Sequence, residues 1–183
     1  MRAFCVWAAL ALAIGVGLSA QSIPAGPDLS GRWNRASETA DPGGAGTSWG
    51  SRLVIGRAGG NVTVQSDSGG IEQYRADGAE TAEVLSVKGC VSQARITKYQ
   101  PGNDRVTITT WLVTKSNCFH GEVEEEPFLW RTGPVEASEV RGLRRLESMT
   151  VVFRDGDALR VDTTRNSPKP GGQPTNSTTI YRK

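Results

Sequence analysis

The chain has 183 residues, 21 basic and 19 acidic side chains, a net charge of +2 and 37% hydrophobic residues. The basic residues are scattered and form no stripe, so neither nucleic acid nor an anionic membrane is an expected partner. The length fits one domain with a sizeable core.

Residues 1–20 read as a signal peptide. Arg2 supplies a short positive region, an apolar run covers residues 3–18, and Leu18-Ser19-Ala20 provides small residues for cleavage. The run is short for a membrane span and has no basic flank behind it. The mature chain is therefore expected in the periplasm or outside the cell, with no membrane contact after cleavage. Removing Arg2 leaves 20 basic residues of the 21, against 19 acidic, a charge near +1. Cys5 leaves with the signal. Cys90 and Cys118 remain, and two cysteines in an exported chain suggest one disulfide.

Residues 21–28 are expected to be an extended entry segment, and residues 29–183 a single domain. Helical periodicity is almost absent. Short alternating runs rich in Val, Ile, Thr and aromatics recur instead, divided by Gly, Pro, Asn and Asp, which is antiparallel β patterning. Strands are expected at 29–36, 52–57, 61–67, 71–76, 81–87, 93–100, 105–114, 143–154, 158–165 and 177–183. The 143–154 strand is expected to carry a bulge near Arg144-Arg145. In the hairpin turned by Pro101-Gly102-Asn103-Asp104, matching Ile96 with Ile108 and Ala94 with Thr110 leaves the cysteines about two residues off direct opposition. A bridge there would close a loop of about 29 residues and contribute roughly 3.5 kcal/mol. The acidic segment 119–142 is read mainly as a long loop, and 166–176, rich in Pro and Gly, as another.

The expected architecture is all-β: an antiparallel up-and-down barrel of about 8–10 strands, since closure removes exposed edges. A two-sheet sandwich is the rival. The apolar interior set is expected to include Val106, Ile108, Leu112, Met149, Val151, Phe153, Leu159 and Val161.

Gly31-x-Trp33 on the first strand, followed by "WGSRLVIG", Asp-Gly turns and a terminal "IYRK", resembles small secreted bacterial proteins of the lipocalin-like (calycin-type) kind. The Thr-Asp-Tyr motif of lipocalins is absent. The resemblance implies that Trp33 plugs one end of a barrel and that a basic residue of the last strand, here Arg182, packs over it as a structural lock through a cation–π contact.

Two strings look catalytic. Gly46-Thr47-Ser48-Trp49-Gly50 matches a nucleophile elbow, but that motif needs a strand-to-helix turn in an α/β sheet. Ser66-Asp67-Ser68-Gly69-Gly70 resembles a serine protease box, but the single histidine, His120, follows both serines. Turn chemistry explains the second string better. His120 with Glu122, Glu124, Glu125 and Glu126 is the densest polar cluster. Consecutive glutamates cannot all reach one ion, and no Cys/His spacing supports a transition metal. No catalytic residue, metal site or cofactor is therefore expected. Phe128, Trp130 and Arg131 are the candidate ligand-binding residues, on a loop expected at a barrel mouth. Trp111, on the face opposite Ile108, marks an outer patch to be covered by the acidic segment or by a partner. The leading expectation is an exported, non-enzymatic barrel holding a small apolar ligand, with entry near 119–142. The alternative is a filled barrel serving as an envelope structural or protein-interaction module.

Overall fold

The computed structural model describes residues 26–42, 49–68, 70–88, 91–116, 118–119, 122–123 and 132–183. The expected signal peptide, residues 1–20, lies outside them. So do Cys90, His120, Phe128, Trp130, Arg131 and Ser48, and with Cys90 the expected disulfide.

The described residues are all-β apart from one 3-10 turn, Ala137–Glu139. The strands are β1 (Gly31–Ala40), β2 (Arg52–Ala58), β3 (Asn61–Ser66), β4 (Ile71–Arg75), β5 (Glu80–Lys88), β6 (Val91–Pro101), β7 (Arg105–Ser116), β8 (Cys118–Phe119), β9 (Glu122–Val123), β10 (Gly133–Val135), β11 (Leu143–Asp155), β12 (Ala158–Arg165) and β13 (Thr175–Arg182). Eleven form one antiparallel sheet in the order β10-β5-β6-β7-β11-β12-β13-β1-β2-β3-β4, and β8 pairs only with β9.

This order is an up-and-down meander in which the first strand pairs with the last: Asn34 faces Arg182 and Arg35 faces Tyr181. The sheet curls until β4 lies against β6, where Tyr74 stacks on Tyr99 at 5.9 Å between ring centroids. It does not close into the expected barrel. The reason is local to β5. Its outer edge is already taken by β10, where Gly133 faces Val84 and Val135 faces Ala82. Pro134, lacking an N–H, suits β10 to the sheet's margin. The linker turns sharply as well: Asp77 accepts Ala79 N–H at 2.9 Å and a fork from Arg75 at 2.6 and 3.2 Å. A seam is left between β4 and the β5–β10 pair.

The segment 119–142 is thus not simply a loop, since it contributes β9, β10 and the 3-10 turn. Its described part covers the outer face of β5, β6 and β7. There Val135, Ala137 and Val140 pack on Ala82, Val84, Ala94, Ile96, Val113 and Trp111. The Trp111 patch is covered from within the chain.

Two cores therefore sit on opposite faces of one sheet, and this shifts the expected register. Ile96 faces Trp111 and belongs to the outer core, whereas Ile108 faces Tyr99 and belongs to the inner one. The expected Ile96–Ile108 match fails because β6 runs on through Pro101, which faces Val106 across a tighter turn. β11 is corrected by one residue. Val152 is interior, beside Val106 and Val161. Met149, Val151 and Phe153 take the other face, where Phe153 lies under Arg105 and Arg160 at 5.9 and 5.7 Å. The bulge falls between Leu146 and Ser148 rather than at Arg144-Arg145.

One end of the curled sheet is plugged. Trp33 is 1% exposed, faces Leu53, and donates its Nε1–H to the Leu29 carbonyl at 3.1 Å. Its cationic cover is not Arg182. Paired antiparallel residues share a face, so Arg182, opposite Asn34, points away from the ring. Arg154 and Lys183 lie over it instead, each 5.4 Å from the ring centroid. The expected Arg182 lock is not made: the residue just past β13, Lys183, and Arg154 of β11 take its place.

Candidate functional site

The inner face becomes more polar from the plugged end toward the other. Trp33, Leu53, Leu159 and Tyr181 fill the bottom, and Val106, Val152 and Val161 lie above them. Next comes the row Tyr99–Ile108–Thr150–Thr163–Ser177, in which neighbours are direct cross-strand partners and the Thr150 and Thr163 hydroxyls meet at 3.2 Å. The row above is Thr81–Thr97–Thr110–Ser148–Arg165, four hydroxyls and a guanidinium on five adjacent strands.

A cavity of about 640 Å3 opens at this level. Its walls are the upper row, Ile108 and Thr150 of the row below, and Glu72, Tyr74, Glu83, Arg95, Glu147 and Trp49. Consecutive residues border it on β4 (Ile71, Glu72, Gln73, Tyr74) and on β5 (Thr81, Ala82, Glu83), with Pro134 beside them. Neighbours along a strand point to opposite faces, so the cavity meets the strand edges and opens through the seam. Pro134, within the 119–142 segment, lies at the cavity's edge.

Glu72 organises one wall. Its Oε2 accepts the Trp49 indole N–H at 2.9 Å and the Tyr74 hydroxyl. Burial first, and then the Glu72 carboxylate, push the Tyr74 phenol well above its ordinary range. Tyr74 therefore stays protonated and a donor. Trp49 is held from its own loop. The Gly50 carbonyl accepts the Tyr181 hydroxyl at 2.9 Å. Asp67 accepts Ser51 N–H at 2.7 Å, Arg52 N–H at 3.1 Å and the Ser51 hydroxyl. These bonds drop the Asp67 carboxyl to about 2, the Ser51 side-chain bond counting most. The Ser66-Asp67-Ser68 string is thus turn chemistry, as expected from sequence. Ser66 and Ser68 meet each other at 2.7 Å, and Asp67 clamps the loop that carries Trp49.

On the facing wall Arg95 Nε meets Glu147 Oε2 at 3.3 Å. Glu147 is the extra residue of the β11 bulge, and bulges commonly re-aim a side chain in this way. Arg165 and Glu83 make no hydrogen bond or ion pair among the described residues.

Sequence reasoning did not single out Trp49, Glu72, Tyr74, Arg95, Glu147 or Arg165. A signal was present: Arg95, Thr97 and Tyr99 alternate with Ala94 and Ile96 on one strand. The apolar set of that strand reads as interior only if the sheet has a single core, and it has two. Among the described residues no group of three His, Cys, Asp or Glu side chains could hold a metal ion. No helix among them is long and apolar enough to cross a membrane. No family model, curated protein or solved structure matches the chain.

Proposed function

We propose that the protein is an exported, non-catalytic binding protein of the lipocalin-like kind, which holds a small polar molecule in the cavity beside the β4–β5 seam. First-to-last strand pairing and a Gly-x-Trp plug under basic side chains support the lipocalin-like reading. The observation that carries the functional reading is the cavity itself. Its volume lies in the range of small-molecule sites, and its wall is built from hydroxyls and charges. That wall changes the occupant from the apolar molecule expected from sequence. An apolar ligand would strip water from Glu72, Arg95, Glu147 and Arg165 without replacing their hydrogen bonds, a net loss.

Native mass spectrometry of the protein purified from its own host tests the reading. A bound polar molecule of defined mass is the expected outcome, and Thr110→Trp, which fills the cavity, should abolish it. A wild-type protein that carries no adduct and gains no thermal stability from any polar compound would overturn it.

A further inference from the structure

The charges around the cavity are unevenly matched. Arg95 and Glu147 neutralise each other across 3.3 Å. Arg165 on β12 is left as a guanidinium with no anionic partner among the described residues, at the end of the hydroxyl row. Across the cavity, Glu72 takes both of its hydrogen bonds on Oε2, and its other oxygen has no partner among the described residues. Glu83, exposed at the rim, stands opposite Arg95 in the β5–β6 register. The lining as a whole holds three carboxylates, Glu72, Glu83 and Glu147, against two guanidiniums, Arg95 and Arg165.

A half-buried charge without a partner is costly, and a ligand charge of opposite sign relieves that cost. A neutral polar molecule would leave both walls uncompensated, and a simple anion or cation would match only one. From this arrangement we infer that the ligand is a small amino carboxylate. Its carboxylate meets Arg165 and its ammonium group meets Glu72, and a second ammonium group matches the one negative charge by which the lining is in excess. A free diamino acid has this chemistry. The inference rests on the polar-cavity reading above and assigns its ligand class.

The experiment is isothermal titration of the full-length mature protein with three probes: L-lysine, cadaverine, which lacks the carboxylate, and glucose, which lacks all charge. Lysine is expected to bind, more weakly as salt rises, and cadaverine and glucose at least tenfold more weakly. Each charge-assisted hydrogen bond removed corresponds to roughly tenfold or more. Arg165→Gln should remove the preference for lysine over cadaverine. Glu72→Gln, whose amide oxygen can still accept from Trp49 and Tyr74, should weaken both amines while leaving the thermal melt unchanged. Glucose binding without lysine binding would overturn the charge assignment and leave the polar cavity standing. Lysine binding indifferent to both substitutions would also overturn it. Failure of every probe, with no adduct on the host-purified protein, would overturn both readings.

Discussion

Gly50 shows how narrowly single residues are constrained around the site. Its φ is +70°, and a Cβ built there would fall 2.3 Å from the Asp67 carboxylate. Any side chain would collide with the group that anchors Ser51 and Arg52. The folded-state carboxyl of Asp67 is lowered from 3.8 to about 2. A depressed acid stabilises the fold above its unfolded value and loses that contribution as pH falls through the folded one. Wild-type stability should therefore decline between about pH 4 and pH 2. In Asp67→Ala that part of the decline should vanish, as urea melts along a pH series would show. Trp33 contributes more to stability. Trp33→Ala should cost about 3–5 kcal/mol by lost burial and a residual cavity. Arg154→Ala and Lys183→Ala should each cost under about 1 kcal/mol, because exposed cation–π contacts are worth little more. Arg182→Ala should be neutral by the same chemical denaturation.

At the scale of elements, β10 and the 3-10 turn decide the architecture. They cover an apolar outer face and occupy the edge of β5 that a closed barrel would give to β4. Val140, 4% exposed among Val113 and its neighbours, is the point to test. Val140→Asp buries an unpaired charge and should destabilise by on the order of 3 kcal/mol or more, read as a lower denaturation midpoint. Hydrogen exchange should separate the strands by neighbours. Amides of β4 and β10, each paired on one side only, should exchange faster than those of β12 and β13. The ten strands expected from the sequence lie within about four residues of observed ones, and β12 matches at both ends, whereas β8, β9 and β10 were not expected. What was not legible was the face each alternation presents. In β6 and β11 both alternating sets contain apolar residues, and only cross-strand partners decide between them.

Over the described residues, the first strand pairs with the last and a seam is left beside β4. β13 is central, bonded to both β12 and β1. A chain truncated before Thr175 should fail to fold cooperatively, giving no sharp melt by circular dichroism, because removal of β13 exposes the buried row from Leu159 to Thr163. The candidate cavity belongs to this scale as well. Its residues come from strands far apart in sequence, and no local spacing links Glu72 to Arg165. The sequence by itself determined an all-β chain, because alternation and turn residues act over a few positions. It did not determine which cations cover Trp33: the resemblance pointed to Arg182, and the register puts Arg154 and Lys183 there instead. Only the tertiary structure decided which side of the sheet is interior, that a seam remains beside β4, and that a polar cavity opens there. Each of these depends on pairing between distant strands, and a one-residue change of register sends every side chain of a strand to the opposite face.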